Sequence, residues 1–301
     1  MPQFDFSELG PDLILDAIES TGIYPESGLL PLNSYENRVY QFLGEDKKRY
    51  VVKFYRPQRW SNEQIIEEHD FSIELADQDI EAVAPLSFDG KTLLEHGGHR
   101  FSVFPSVGGR MFELDDLDHL ERLGQLLGRI HSVSDASEIQ HRNKIDIATD
   151  LNEAASYLKE SGLVPSYLHA AFFPDLQKVV ELSCERLPTQ LKNIRLHGDC
   201  HTGNILWRTG ANTDDAILVD FDDCITGPAI QDIWMMLSGD RAQQILQLDT
   251  LLEGYEMFRP FNHAEFAIIE PLRARRMLMY MTWLAKRWSD PAFPRNFSWF
   301  N

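Results

Sequence analysis

The stretch HGDCHTGN at residues 197–204 decides how this sequence is interpreted. A short apolar run, ILW, follows it at 205–207, and VDFD at 219–222 ends a further apolar run. Short apolar runs separated by loops dense in Asp, His, Asn and Gly are typical of small strands joined by polar loops. Loops held by a rigid scaffold are where proteins place binding and catalytic groups, so we expect the chemistry of this chain here.

Three polar residues in this region have an informative spacing. Asp199 and Asn204 lie five residues apart, and Asp220 follows after a strand. Protein kinases have this order in their catalytic loop and metal-binding residues, where little covalent chemistry is asked of the protein. Asp199 would accept the proton of the acceptor hydroxyl. Asn204 and Asp220 would bind Mg²⁺ through their oxygens, so Asp220 counts as both a catalytic and a metal-binding residue.

A second pair of charged residues lies upstream. Lys53 lies on a strand-like run, and Glu67 and Glu68 lie on a helix that begins with a capping box of Ser61 and Gln64. The pattern matches the kinase lysine that binds the ATP phosphates and its partner glutamate. Adjacent helix positions point about 100° apart, so only one glutamate can face Lys53. We favour Glu68, although the sequence leaves Glu67 open.

The order of predicted elements indicates two parts. Runs at 38–43 and 49–55 predict an antiparallel hairpin, the capped helix extends to about 76, and runs at 91–95 and 100–104 predict a second hairpin. The segment PSVGG at 105–109 then breaks the pattern. Apolar residues at helical spacing predict a mostly helical remainder, with helices near 117–130, 150–159, 242–257 and 264–287.

These elements predict an α+β fold of two lobes. Residues 1–105 would form a small antiparallel-sheet N-lobe that binds the nucleotide. Residues 106–301 would form a larger, mostly helical C-lobe with the catalytic and acceptor-binding groups.

The motif HGDxHxGN at 197–204 resembles that of the aminoglycoside phosphotransferase and choline kinase superfamily, which shares the bilobal protein-kinase fold. The stretches PLNSYENRVY at 31–40, VKFYRP at 52–57 and FPSVGGR at 104–110, with 288–297, are similar to a bacterial subfamily of stress-response Ser/Thr protein kinases. The resemblance covers essentially the whole chain. It implies a cytoplasmic monomer that uses ATP and Mg²⁺ to phosphorylate protein Ser or Thr, and it leaves autophosphorylation open.

The same resemblance implies roles for individual residues. Asp199 is the proton acceptor, and Asn204 and Asp220 bind Mg²⁺. Ser34 lies in the loop over the ATP phosphates, and Asp232 braces the backbone of the catalytic loop.

Two departures from the kinase pattern keep other functions open. The loop at 33–38 has no glycine, although kinase phosphate loops are normally glycine-rich. Only eleven residues separate Asp220 from Asp232, which leaves no room for an activation loop. The first departure leaves open how the loop contacts ATP. The missing segment is where ordinary protein kinases dock peptide substrates, so the residues alone lean towards a small hydroxylated metabolite or an aminoglycoside as the acceptor, and only the subfamily resemblance favours a protein. A pseudokinase that binds without turnover is the third alternative.

Composition excludes several classes of partner. The chain has 301 residues, with 28 basic and 47 acidic side chains and a formal charge of -19. Its average surface therefore repels the phosphates of nucleic acids and anionic membranes, and the sequence leaves only a local basic patch open. The N-terminus lacks the pattern of a secretory signal, and three widely spaced cysteines fit a reducing compartment.

Two questions stay open at this level. Cys200 is either a redox-sensitive thiol or a small packing residue. The Arg273, Arg275 and Arg276 cluster faces either the acceptor cleft or solvent.

Overall fold

The computed structural model describes residues 6, 8–135, 139–209, 214–289 and 292–297. Helix α1 (Pro11–Glu19) precedes a five-stranded antiparallel sheet in the order β1-β2-β3-β5-β4. Its strands are β1 (Leu30–Pro31), β2 (Arg38–Leu43), β3 (Arg49–Phe54), β4 (Leu94–His96) and β5 (His99–Pro105). Both predicted hairpins are present, but β4 begins at Leu94 rather than at 91.

The two faces of strand β3 have different surroundings, because successive side chains of a strand point to opposite faces. Val52 and Phe54 are fully buried in a core that includes Ile14 and Ile18 of α1. Val51 and Lys53 line a cleft instead. The alternation of β3 therefore directs a lysine away from the N-lobe core.

Helix α2 (Asn62–Asp77) crosses behind the cleft, and its capping box is confirmed. Ser61 Oγ accepts a hydrogen bond from Gln64 N at 3.2 Å, and Gln64 Oε1 accepts one from Ser61 N at 2.9 Å. Two orphan amides at the start of the helix are thereby satisfied. The helix therefore begins at a defined residue, and its buried face, which includes Ile65, Phe71 and Leu75, packs inward.

The remaining elements are mostly helical. They are β6 (Arg110–Met111), α3 (Leu117–Ser134), α4 (Ile147–Glu160), α5 (His169–Glu185), β7 (Ile194–Leu196), β8 (Ile205–Thr209), β9 (Asp214–Leu218), β10 (Ile225–Gly227), α6 (Gln231–Trp234), α7 (Arg241–Glu256), α8 (Ile269–Arg287) and α9 (Ala292–Asn296). Strands β6, β8 and β9 pair antiparallel, as do β7 and β10. The predicted α+β class is confirmed.

Helices α3 and α7 pack closely because glycines lie where they meet. A Cβ at Gly124 would be 2.0 Å from Leu251 O, and one at Gly254 would be 2.1 Å from Glu121 O. Side chains there would force the helices apart.

Helix α8 begins later than predicted. Residues His263–Ile268 form a 3₁₀ helix, and α8 starts at Ile269 rather than at 264. Pro271 explains the difference, because a proline is tolerated in the first turn of an α-helix, whereas in the interior it clashes with the carbonyl four residues earlier.

Helix α4 begins at Ile147 rather than at 150. Asp146 caps this earlier start, since its side chain accepts a hydrogen bond from Thr149 N at 3.1 Å.

No helix among the described residues is long and apolar enough to cross a membrane.

Candidate active site

A cleft of about 320 Å³ lies between the five-stranded sheet and the loops around β8 and β9. Ser34, Lys53, Glu68, Asn204 and Asp220, all predicted from the sequence, line it. Apolar side chains from both sides complete its walls, among them Val39, Val51, Val83, Phe104, Leu206 and Val219. A mostly apolar cleft with a few polar groups at one end is typical of a small-molecule site.

Lys53 lies at the polar end of this cleft. Its Nζ is 3.3 Å from Glu68 Oε1 and 3.0 Å from both Asp220 Oδ1 and Asp222 Oδ1. Burial disfavours the ammonium, but the three carboxylates outweigh it and raise the pKa of Lys53 well above its ordinary value. The lysine is therefore a fixed positive charge.

The two adjacent glutamates of α2 have different partners. Glu68 faces Lys53, whereas Glu67 points to the segment before α4 and accepts backbone hydrogen bonds from Gln140, His141 and Arg142. The last two are 2.8 and 2.7 Å long. The ambiguity in the sequence is thus resolved by the rotation of α2.

Arg142 holds α2 from the other side. Its Nη2 is 3.0 Å from Glu68 Oε2, its Nε donates to Gln64 O at 2.7 Å, and its guanidinium lies 4.3 Å from the Trp60 ring centre. Both oxygens of Glu68 therefore have cationic partners. No sequence signal pointed to Arg142.

Asp222 is a buried member of the site that the sequence analysis did not assign. Its side chain is 4% exposed and contacts Lys53, Arg59 Nη1 and Asn37 Nδ2, the last at 3.1 Å. Burial opposes the carboxylate, but Arg59 and Lys53 hold the pKa of Asp222 well below its ordinary value. The sequence signal that could have identified Asp222 is its position as the second aspartate of VDFD at 219–222.

The backbone of the catalytic loop is held by Asp232. Its two carboxylate oxygens accept hydrogen bonds from His197 N and Gly198 N, both at 2.8 Å. Gly198 has φ of +85°, and a Cβ there would lie 2.2 Å from Asp223 O. His197 Nε2 is 3.0 Å from Val219 O, so this histidine joins the loop to the strand before Asp220.

Asp199 projects beside helix α8. Its Oδ1 is 2.6 Å from Arg276 Nη1, and its Oδ2 is 3.4 Å from His201 Nε2. Burial opposes the charged form, but His201 and Arg276 hold the pKa of Asp199 well below its ordinary value. Asp199 is thus a carboxylate at neutral pH, able to orient a hydroxyl. Of the three late arginines, Arg276 faces this residue.

The neighbouring cysteine has no access to solvent. Cys200 is completely buried, and burial, together with the charges of Asp232 and Asp199, raises the pKa of its thiol well above the ordinary value. A reactive thiol needs exposure and a low pKa, so this environment favours a packing role.

Asn204 and Asp220 fit a hard divalent cation. Asn204 Nδ2 donates to Asp199 O at 3.0 Å, which leaves its carbonyl oxygen as the free donor atom. Asp220 has φ of +63° and a half-exposed carboxylate. Such a backbone conformation is uncommon outside glycine and is found at functional sites. Oxygen donors of this kind suit Mg²⁺, which would bring positive charge to bound phosphates.

The loop at 33–38 covers one side of the cleft, and Ser34 Oγ accepts a hydrogen bond from Asn37 N at 3.3 Å. In this contact the Ser34 oxygen is an acceptor, which leaves its O–H group available as a donor. The hydroxyl of Ser34 is therefore a candidate donor to an anion in the cleft.

Comparison with known proteins agrees with this geometry. The sequence profile of the phosphotransferase enzyme family matches residues 28–269. The chain is 49% identical over 296 residues to "Stress response kinase A" of Escherichia coli and to "Serine/threonine protein kinase RdoA" of Salmonella typhimurium. Each match covers 98% of this chain and 89% of the relative.

Solved structures share the fold at lower identity. Amicoumacin kinase hAmiN, in complex with AMP-PNP and Ca²⁺, has a TM-score of 0.75 at 20% identity, over 98% of this chain and 94% of that one. A microcompartment-associated aminopropanol kinase has a TM-score of 0.73 at 19% identity, over 95% and 92%. Since the family profile spans most of the chain and the relatives nearly all of it, this protein belongs to the phosphotransferase enzyme family and has its kinase-like fold.

Proposed function

We propose that this chain is an ATP- and Mg²⁺-dependent Ser/Thr protein kinase of the bacterial stress response. The observation that carries the proposal is the 49% identity, across 98% of the chain, to proteins named stress response kinase A and serine/threonine protein kinase RdoA. The two small-molecule kinases are 20% and 19% identical and support the fold alone.

In this proposal the cleft binds ATP. Lys53, held by Glu68, binds the phosphates, and Ser34 lies in the loop over them. Asn204 and Asp220 hold Mg²⁺, which neutralises charge on the phosphates. Residues 1–105 form the nucleotide-binding lobe and supply the sheet side of the cleft. Residues 106–301 form the opposite wall and supply the catalytic and acceptor-binding groups.

Asp199 prepares the acceptor. Its carboxylate accepts a hydrogen bond from a Ser or Thr hydroxyl and orients the oxygen towards the γ-phosphorus. As the new oxygen–phosphorus bond forms, the bond from the γ-phosphorus to the β–γ bridging oxygen breaks, and the hydroxyl proton passes to Asp199. The products are a phosphorylated protein and ADP. Because the pKa of Asp199 is low, positioning contributes more than proton abstraction.

We also propose that the enzyme acts as a cytoplasmic monomer on protein substrates, and that its own hydroxyls are among the candidate acceptors. Its charge of -19 argues against nucleic acids and anionic membranes as partners.

A small-molecule phosphotransferase is the second candidate. Cys224 and Ile225–Gly227 lead from the Asp220 turn almost directly into α6, so the chain has no long segment there for docking a peptide. A small hydroxylated compound, such as an aminoglycoside, would fit that arrangement.

Transfer of labelled γ-phosphate from Mg-ATP tests the proposal. The full chain is offered a bacterial lysate and, separately, a panel of aminoglycosides and small alcohols, with Asp199→Asn and Asp220→Ala as inactive controls. Label on protein Ser or Thr that both controls lose is the expected result. Label on small molecules alone would transfer the function to the second candidate. Binding of ATP without any transfer would indicate a pseudokinase.

A further inference from the structure

Glu36 connects the two lobes from within the glycine-free loop 33–38. Its side chain is 11% exposed, and Oε2 lies 2.9 Å from Nε of Arg56, which follows β3. On the other side, Arg287 Nε is 3.1 Å from Oε1, Arg287 Nη2 is 3.3 Å from Oε2, and the indole N–H of Trp283 donates to Oε1. One carboxylate therefore joins the N-lobe to helix α8.

Tyr35, the residue before Glu36, also contacts both Arg56 and the C-terminal part of the chain. The Tyr35 ring lies 6.3 Å from the Trp283 ring and 5.0 Å from the Phe297 ring. The Tyr35 carbonyl accepts a hydrogen bond from Arg56 Nη2 at 3.1 Å. The loop is thus anchored by aromatic packing and by hydrogen bonds, next to Ser34.

The residue after Glu36 anchors the loop to the site itself. Asn37 Nδ2 donates to Asp222 Oδ2 at 3.1 Å, and Asn37 Oδ1 accepts from Arg56 N at 3.1 Å. Residues 35, 36 and 37 therefore each have a fixed partner, so the loop has one defined position.

These anchors replace what glycine normally provides. A glycine-rich loop adapts its backbone to the phosphates, whereas a loop without glycine must be placed correctly beforehand. Charge-assisted hydrogen bonds are about twice as strong as neutral ones, which suits that purpose. Burial opposes the charge of Glu36, but Arg59 and Arg287 keep its pKa below the ordinary value.

We propose that Glu36 is a positioning residue for nucleotide binding. By joining Arg56 to Trp283 and Arg287, it holds the loop so that Ser34 meets the terminal phosphates of the nucleotide. The inference rests on the proposed ATP site. It makes helix α8 a part of the phosphate-binding apparatus, although α8 does not line the cleft.

Measurements with ADP, ATP and the nucleoside adenosine on the full chain test this role. Glu36→Gln keeps the size of the side chain and removes its charge. We expect the Kd of ADP and the KM of ATP to rise about tenfold, which is the loss of one charge-assisted hydrogen bond. The Kd of adenosine should change less than about twofold, because adenosine has no phosphate for the loop to meet.

Variants of α8 separate positioning from folding. Arg287→Met leaves Glu36 intact and should also raise the KM of ATP, and the double variant Glu36→Gln/Arg287→Met should be no worse than Glu36→Gln. Glu45→Gln, in the exposed β2–β3 turn, is the matched control and should behave as the wild type. Unfolding midpoints are measured for all variants.

Two results would overturn the inference while leaving the function in place: equal weakening of adenosine and ADP, or a lower unfolding midpoint with unchanged ADP binding. A wild-type chain that binds no ATP or ADP would overturn the proposed function as well.

Discussion

Arg276 Nη1 lies 2.6 Å from Asp199 Oδ1, so helix α8 supplies a cation to the carboxylate that we assign as the proton acceptor. The arginine side chain is 42% exposed and the aspartate 25% exposed, which places the pair at the open side of the site. An acceptor that approaches Asp199 therefore meets Arg276 as well.

Replacing Arg276 should impair catalysis more than nucleotide binding. We expect Arg276→Gln to lower kcat about tenfold, because Asp199 loses a partner that fixes its orientation, while the KM of ATP stays within about twofold. Steady-state kinetics with a protein acceptor measures both values. Arg273→Gln is the control, since Arg273 pairs with exposed Glu270 on the same helix. An unchanged kcat in Arg276→Gln would contradict the prediction.

The two adjacent glutamates of α2 should respond differently to the same substitution. Glu68→Gln weakens the contact to Lys53, and we expect kcat/KM for ATP to fall at least about tenfold. Glu67→Gln affects only the anchor of the 140–142 backbone, and we expect a loss of about 1–2 kcal/mol in the free energy of unfolding with kcat/KM within about threefold. Kinetics and urea unfolding on both variants provide the comparison. Equal kinetic losses would refute the assignment of Glu68.

Asp222 and Asp223 are adjacent aspartates that differ in burial, so the same substitution at each tests how much a buried carboxylate stabilises the fold. Asp222 is 4% exposed and compensates the charges of Lys53 and Arg59, whereas Asp223 is 47% exposed. Asp222→Asn should lower the free energy of unfolding by about 3 kcal/mol, because the buried Lys53 and the partly buried Arg59 lose a counter-charge. Asp223→Asn should cost less than about 1 kcal/mol. Chemical denaturation measures both, and similar losses would argue against the buried charge network.

Acid should destabilise the protein through His69. Its Nε2 is 2.8 Å from Tyr55 Oη and its Nδ1 is 2.8 Å from Thr92 Oγ1. Burial, with the charges of Lys53 and Arg142, lowers the pKa of His69 to about 3. The unfolded histidine has a pKa of about 6.5, so the unfolded state binds a proton that the folded state does not.

The stability contributed by His69 is therefore complete above pH 6.5 and is lost as the pH falls towards 3. Between pH 6.5 and 5 the expected loss is about 1.5 kcal/mol. Urea unfolding at several pH values measures it, and His69→Gln should reduce the slope. A variant with the wild-type slope would show that other groups cause the acid sensitivity.

Local sequence patterns predicted much of the fold. The alternation in 38–43 and 49–55, the Ser61–Gln64 capping box and the helical spacing after 117 depend on neighbours in the chain, and the structure contains all three. Helix α5 was not predicted. Its sequence contains Pro174, and a proline in the interior of a segment is a signal against a helix, yet the helix continues through it.

The site residues that the sequence predicted are close to one another in the chain, and those that it missed have distant partners. The spacing in HGDCHTGN and VDFD brought Asp199, Asn204 and Asp220 into one hypothesis, since they lie close together in the chain. Arg142 and Glu36 went unnoticed because their partners are distant in sequence: Glu36 meets Arg287 across 251 residues.

The chain alone thus determined most of the elements, the kinase-like order of the motifs and the residue types needed for phosphoryl transfer. Only the tertiary structure decided which of Glu67 and Glu68 faces Lys53, and that Arg276 faces Asp199. The physical reason is that charged groups pair through space. Two adjacent glutamates look the same in the sequence, but on a helix they point about 100° apart. The rotation of the packed helix, which its buried face sets, therefore selects the one that meets the lysine.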